Sequence, residues 1–451
     1  MTDRGSGANA PLDAQQLLDQ TPFGPFRWLI FLLCFLIVLL DGFDTAAIGY
    51  IALSLVAEWE IAKPALAPVL SAALFGLAAG ALTAGPLADR FGRKRVLVGS
   101  VAVFGSGSLA SAFAPDLQML VWLRFFTGVG LGAAMPNAVT LMSEYSPAHK
   151  RALITNAMFC GFPLGASCGG FLAAWLIPEF GWRSVLLLGG ILPLVLVGVL
   201  IAVLPESVRY MVSKGWPVAR IRQVLVRIAG PRAAADGYVL PEPQGVAAAS
   251  QGAEDAPGGL RLVLSPPYRV GSVMLWVAYF MGLVVFYAMI NWMPVLFKGI
   301  GIDAATATRI TALFPLGGVA AIALGWLMDR FNPTGVLAAG YTLTALSIWA
   351  IGQAVGSLAW LMVLVFVAGV AMNATQAAMP ALAASFYPTR GRATGVAWML
   401  GVGRFGGVAG SFLVAALAAR DVGFAGILTA LAIPGLLAMA ALLVKALVHR
   451  R

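Results

Sequence analysis

Apolar residues in this chain come in long unbroken blocks. The run Leu29-Ile-Phe-Leu-Leu-Cys-Phe-Leu-Ile-Val-Leu-Leu40 contains no charged side chain. Blocks of this kind start near Trp28, Pro64, Val96, Leu117, Ala152, Ser184, Val270, Ala305, Gly335, Leu358, Ala393 and Gly423. About 20 apolar residues in a helix cross a bilayer core, and a helix satisfies its own backbone polar groups there. The pattern predicts an all-α membrane protein with twelve transmembrane helices.

Composition agrees, with 60% of residues hydrophobic and 11% charged, against about 25% charged in soluble domains. Of the 29 Lys and Arg residues, Lys63, Arg183, Lys298, Arg309 and Arg420 fall on one side of the expected membrane. Arg124 and Arg404 fall inside spans, and the other 22 lie on the side of both termini. The positive-inside rule then places both termini in the cytoplasm of a bacterial inner-membrane protein. The same rule accounts for the net charge of +10, which therefore gives no support for nucleic-acid binding. Residues 1–26 are polar, and the first apolar block is too long for the h-region of a cleavable signal. Cys34, Cys160 and Cys168 sit in spans without metal spacing and read as packing residues. His149 and His449 lie outside the apolar blocks, so a protonation site within the membrane has to be a carboxylate.

One long polar interruption, residues 205–268, divides the chain. It carries a basic helical patch (Arg220, Arg222, Arg227) and a Pro/Gly/Ala-rich stretch with Glu254 and Asp255. It is expected to be a flexible cytoplasmic tether. It would separate a tail (1–26) and a six-helix bundle (27–204) from a second six-helix bundle (269–448). The halves repeat one another. Gly85-Pro-Leu-Ala-Asp89-Arg90-Phe91-Gly92-Arg93-Lys94-Arg95 after the second block matches Gly325-Trp-Leu-Met-Asp329-Arg330-Phe331 after the eighth. Tyr145-Ser-Pro147 with Arg151-Ala152 likewise matches Tyr387-Pro388 with Arg392-Ala393. Duplicated halves of this kind bind substrate at their interface near mid-membrane and work by alternating access.

Ionisable residues inside the blocks are the candidate chemistry. A charge at a helix centre costs roughly 2.5–3.5 kcal/mol on insertion scales, so such groups face water, a partner or a substrate. Asp41 and Asp44 stand three residues apart in the first block and share a helix face. Neighbouring carboxylates in a poorly solvated site disfavour double ionisation, so at least one is expected to take up and release a proton. The structural alternative has one of them capping a helix break at Gly42 and the other paired with an arginine. Arg404 interrupts an apolar block among Gly401, Gly403, Gly406, Gly407 and Gly410. Small neighbours permit close helix approach and leave room for an anion, and a guanidinium grips a carboxylate bidentately. Its alternative role is to pair with Asp41 or Asp44. Gly401-Val-Gly403-Arg-Phe-Gly406 also fits a dinucleotide-binding pattern, but with no preceding strand that reading fails.

These motifs carry a resemblance. Gly-x-Leu-Ala-Asp-Arg-Phe-Gly-Arg-Lys-Arg over 85–95 resembles the signature of the major facilitator superfamily. Arg124-Phe-Phe-Thr-Gly128, Gly181-Trp182-Arg183 and Pro205-Glu206-Ser207-x-Arg209 fit it too. Leu40-Asp41-Gly42-Phe43-Asp44-Thr45 and Gly401-Val-Gly403-Arg404 more narrowly resemble the aromatic acid:proton symporter family. That resemblance implies two pseudo-symmetric six-helix bundles. It also implies a proton-coupled importer of an aromatic carboxylate of the hydroxybenzoate or protocatechuate type. It further implies for Arg124 a hydrogen bond to the first helix that affects proton coupling. Trp182 and Asn332 depart from it, standing where His is expected.

Asp89, Arg90, Gly92, Arg93, Glu144, Arg151, Asp329 and Arg330 are expected to form a cytoplasmic gate. In it Asp89 faces the N-terminus of a helix from the other half, Gly92 permits a tight turn, and Glu144 pairs with Arg90 or Arg151. Asn291, Trp292, Asn373, Gln376 and Trp398 are candidates for the ring contacts and hydrogen bonds that an aromatic acid needs. Each has packing as its alternative. No hydrolase-like or metal-binding arrangement is seen, so an enzyme is not expected. The expectation is a transporter that acts as a monomer, needs no cofactor and is driven by the proton gradient. The alternatives are a symporter of another organic acid or a sugar, and a membrane sensor of aromatic acids.

Overall fold

The computed structural model describes residues 12–240, 260–354 and 356–449. Tail residues 1–11 and linker residues 241–259, including Glu254 and Asp255, lie outside these, as does the side chain of Asp329. The first six spans are Pro25–Trp59, Ala67–Phe91, Arg93–Ser111, Leu117–Tyr145, Arg151–Phe159 running on as Gly161–Phe180, and Arg183–Val203. The seventh is Arg269–Gly299, and the ninth to twelfth are Pro333–Gln353, Leu358–Phe386, Thr389–Ala418 and Phe424–Val448. Among the described residues ten helices are each long and apolar enough to cross a membrane. The two other expected spans differ for visible reasons. The third is 19 residues long and opens on Arg93-Lys94-Arg95. The eighth is split at Gly317-Gly318 into Ala304–Leu316 and Ala321–Arg330, joined by a 3-10 turn.

The spans pack as two bundles. The second and third lie on the fourth, the first on the fifth, and the third on the sixth; the seventh lies on the eleventh and twelfth, and the ninth on the tenth and twelfth. The bundles meet where the first span lies on the seventh, the second on the eleventh and the fifth on the eighth. The first span stays helical through Gly42, so no break occurs there. Gly42 serves close approach instead: a Cβ would sit 2.0 Å from the Phe162 carbonyl oxygen of the fifth span.

The seam between the bundles is asymmetric. Away from the termini it is tight. A Cβ at Gly49 would lie 2.7 Å from Ile290 O, and one at Gly170 would lie 2.6 Å from the Ala312 Cβ. Two hydrogen bonds join the halves among the described residues, Asn291 Nδ2 to Leu70 O at 3.5 Å and Arg404 Nη1 to Leu77 O at 2.8 Å. Both lie in the middle or on the face away from the termini. On the termini-bearing face no described hydrogen bond crosses. The described hydrogen bonds between the bundles thus all lie away from the termini-bearing face.

The linker corrects one expectation. Its first part is folded, as Val208–Ser213, Val218–Ala229 and a 3-10 turn, Gly230–Ala233. Tyr238–Val239 then pairs in parallel with Leu12–Asp13 of the tail. The reason is amphipathicity: Val218–Ala229 buries Ile221 and Leu225 in a cluster that also takes in Leu18, Val208, Met211 and Tyr238. Arg222 of the basic patch donates to Ala235 O, and Arg220 and Arg227 lie over the rings of Trp216 and Phe26. Arg27, fully buried, fixes the tail helix Ala14–Gln20 by donating to Leu18 O at 2.6 Å and Thr21 O at 3.1 Å.

The seam makes a prediction. In a cysteine-free background, Asn291→Cys is expected to resist a thiol reagent in detergent, being 1% exposed. Adding Gly49→Leu, whose side chain cannot fit between the bundles, should raise its labelling rate several-fold. Equal rates with and without the leucine would mean that the seam yields at no cost.

Candidate functional site

The first span places its two aspartates in different environments. Asp44, fully buried, holds Arg124 of the fourth span bidentately, Nη1 to Oδ1 at 3.0 Å and Nη2 to Oδ2 at 2.8 Å. Arg124 Nη2 also donates to the Asp44 backbone oxygen at 3.1 Å. Two opposite charges in this geometry satisfy each other. Asp41, 2% exposed, has no such partner; its Oδ1 accepts from Thr45 Oγ1 at 3.2 Å. The structural alternative raised for the pair therefore applies to Asp44, and among the described residues Asp41 has no ion-pair partner.

Arg404 stands across the seam on the eleventh span. It is half-buried, bonds Leu77 O, and belongs to none of the ion pairs found among the described residues. Asp41, Tyr279 and Tyr287 are the groups near enough to share its field. The glycines around it serve contact with the seventh span more than open space. A Cβ at Gly403 would lie 2.2 Å from the Tyr279 ring, and one at Gly407 would lie 2.5 Å from the Tyr287 ring. At Gly406 and Gly410 it would strike the backbone oxygens of Phe280 and Val284, whereas Gly401 faces open space.

Aromatic rings continue from Tyr287. Phe286 lies 5.1 Å from it edge-on, 6.0 Å from Phe314 of the eighth span and 6.5 Å from Phe162 of the fifth. This cluster bridges the two bundles beside Asp41 and Arg404. None of these rings, nor the two tyrosines, stood out in the sequence, since isolated aromatics in apolar blocks resemble packing residues. The signal that could have found them is the phenol hydroxyl, an uncommon polar group at two turns' spacing (279 and 287) in a membrane helix.

The other expected contacts are dispersed. Asn291 lies in the closed part of the seam with its Oδ1 unpartnered, and Trp292 is fully buried beside it. Asn373 uses its amide nitrogen on Phe314 O and Gly369 O. Gln376 accepts from Tyr341 Oη at 2.8 Å and donates to Tyr279 O at 3.2 Å, tying three spans of the second bundle. Trp398 stacks on Trp276 at 5.8 Å. It is six residues from Arg404, about 9 Å along the helix.

The expected gate is also rearranged. Asp89 bonds Arg93 of its own half at 2.7 Å and is 71% exposed, so it does not face a helix of the other bundle. Glu144 pairs with Arg93 at 3.9 Å and accepts from Ser207 Oγ, rather than pairing with Arg90 or Arg151. Arg330 lies over the Trp326 ring. Each of these groups takes its partner from its own half, and Arg93 is the residue that Asp89 and Glu144 share. Gly92 does make the tight turn, at φ +98°, and a Cβ there would lie 2.3 Å from Glu206 Oε2. Glu206 itself accepts from Lys94 N at 3.0 Å and Ser207 N at 2.9 Å, and so anchors the signature loop to the segment after the sixth span.

The two departures from the expected histidines lie at opposite ends of the molecule, away from Arg404. Trp182 opens the sixth span and donates from Nε1 to Glu58 Oε2 at 2.5 Å, while Asn332 caps the ninth span through Gly335 N.

Comparisons with known proteins agree with this architecture. The chain is 51% identical to the 4-hydroxybenzoate transporter PcaK of Pseudomonas aeruginosa, over 97% of this chain and 96% of that protein. It is 45% identical to a gallate transporter of Pseudomonas putida, over 96% and 95%. The inward-open structure of the xylose transporter XylE from E. coli superposes with a TM-score of 0.71 at 19% identity, over 93% of this chain and 95% of that one, a likeness of fold. The sequence profile of the Major Facilitator Superfamily matches residues 34–323 and again 298–451. The chain belongs to the Major Facilitator Superfamily.

Proposed function

We propose that the protein imports an aromatic carboxylate of the hydroxybenzoate class across the bacterial inner membrane, coupled to protons, by alternating access between two six-helix bundles (27–204 and 269–448). The observation that carries this reading is the Arg404 guanidinium, in no ion pair among the described residues, which shares the field of Asp41 from the other side of a seam that a cluster of aromatic rings bridges. A planar guanidinium fits a carboxylate, the rings fit the benzene face, and a lone buried carboxylate can exchange a proton. The relatives named for hydroxybenzoate and gallate transport support the substrate class. Both termini lie in the cytoplasm in this reading, so the face that no described hydrogen bond crosses is the inner one. A monomer suffices, and the proton gradient supplies the driving force without a cofactor.

In the transport cycle Asp41 binds a proton from outside and Arg404 takes the carboxylate. Closure around both lets the bundles rock, and parting on the inner face releases both. Asp44 and Arg124 hold the first span to the fourth while this happens. Asp89, Gly92, Arg93 and Glu144, with Arg90, Arg151, Asp329 and Arg330, form the inner gate when the bundles close on that face. Asn291 and Trp292 belong to the outer closure, and Asn373, Gln376 and Trp398 support the second bundle around the site.

Uptake of radiolabelled 4-hydroxybenzoate into proteoliposomes with an imposed proton gradient tests the function. A sensor would bind without accumulation, and a sugar or aliphatic-acid carrier would leave the aromatic acid outside. Asp41→Asn is expected to fold normally yet lose gradient-driven accumulation. Asp44→Asn should instead cost stability, by about 3–5 kcal/mol for a buried partner left unpaired, seen as a lowered melting temperature. Wild-type accumulation by Asp41→Asn would remove Asp41 from the coupling step.

Arg404→Lys keeps the charge and loses the fork. It should weaken binding by about 1.5–3 kcal/mol, the worth of a charge-assisted hydrogen bond, and Arg404→Ala should weaken it more. Calorimetric titration with the acid and its amide checks this: unchanged affinity in both variants would leave Arg404 a structural residue.

A further inference from the structure

A carboxylate presents about four lone-pair sites, and an arginine fork occupies two of them. Once the bundles enclose the carboxylate, the remaining oxygen positions need another donor or carry a desolvation cost. Tyr287 of the seventh span is placed to be that donor. It is near enough to both Arg404 of the second bundle and Asp41 of the first to share their fields. Tyr279, the other phenol near Arg404, is not coupled to Asp41 in this way. The Tyr287 ring is seated against Gly407, where any larger residue would collide with it, and Phe286 braces it edge-on at 5.1 Å. Among the described residues its hydroxyl makes no hydrogen bond, and the residue is only half-buried. A fixed ring with an uncommitted O–H beside an unpaired guanidinium is the arrangement of a two-residue anion clamp.

We propose that Tyr287 is a second anchor of the substrate carboxylate, donating its phenol O–H to an oxygen position that the Arg404 fork leaves open. The proposal rests on the reading of Arg404 as the carboxylate site. It assigns Tyr287 to the carboxylate end of the substrate rather than to a ring hydroxyl. The clamp then draws one donor from the seventh span and one from the eleventh, and Gly407 is the feature that brings the two spans close enough.

Tyr287→Phe removes a single oxygen and keeps the ring, so packing on Phe286 and Gly407 is preserved. Benzoate has no ring hydroxyl and 4-hydroxybenzoate has one, so titrating both acids separates the two possible roles. The full-length wild type, Tyr287→Phe and Arg404→Lys are compared by calorimetry. Tyr287→Phe is expected to weaken both acids by the same factor, about ten-fold to a hundred-fold for one hydrogen bond to a charged group. A loss confined to 4-hydroxybenzoate would overturn the proposal, because the hydroxyl would then read the ring substituent. No loss for either acid, with Arg404→Lys weakened, would overturn the clamp and leave Arg404 as the sole anchor. Unchanged binding by Arg404→Lys, or no binding of either acid by the wild type, would overturn the carboxylate site and the clamp together.

Discussion

Hydrocarbon does not tolerate an unpaired charge, and the arrangement of this protein follows from how its few membrane-embedded charges are satisfied. Asp44 and Arg124 neutralise each other through two parallel hydrogen bonds and a third to the backbone. That pair fixes the first span against the fourth with no exposure of either group. It also commits Arg124 to Asp44. Asp41 is left with a threonine hydroxyl, and the cation that shares its field, Arg404, belongs to the other bundle. Charges of opposite sign that are hydrogen-bonded but, among the described residues, in no ion pair therefore sit on the two sides of the seam.

Glycine makes the rest of the seam possible. Along the eleventh span Gly403 and Gly407 receive tyrosine rings, and Gly406 and Gly410 receive backbone. The contrast between the faces at i and i+4 follows from helical periodicity alone. Along the first span Gly42 and Gly49, two turns apart, admit the fifth and seventh spans respectively. Close approach strengthens dispersion contacts where no hydrophobic effect acts between lipid-exposed helices. A helix gripped on two sides in this way moves as a rigid element.

Much of the fold was legible because apolar block length and basic-residue placement are written directly in the sequence. Asp41, Asp44, Arg124 and Arg404 were legible for the same reason, each being a charge where none belongs. What the sequence could not supply was pairing. Nothing in the spacing of Asp41 and Asp44 says which of them Arg124 takes, since both face the same side of one helix. Glu144 met Arg93 and Ser207 rather than Arg90 or Arg151, a choice among arginines of one bundle that three-dimensional placement makes and sequence spacing does not record. The linker was misjudged because its Pro- and Gly-rich part overshadowed Val218–Ala229, whose Ile221 and Leu225 stand four residues apart and form a buried stripe. Tyr287 and Phe286 were hidden because aromatics in an apolar block give no hint of facing a partner across a seam.

The bond from Arg404 to the Leu77 carbonyl also bears on the energetics of motion. Leu77 lies inside the continuous second helix, where its oxygen already serves the helix's own i to i+4 ladder. A carbonyl oxygen has a second lone pair, and the guanidinium uses that spare capacity. Breaking the contact strips no helical hydrogen bond and unwinds no turn. The arginine is thus kept satisfied by a contact that can be surrendered without local unfolding, so a movement of the eleventh span relative to the second has to displace one hydrogen bond rather than dismantle a piece of secondary structure.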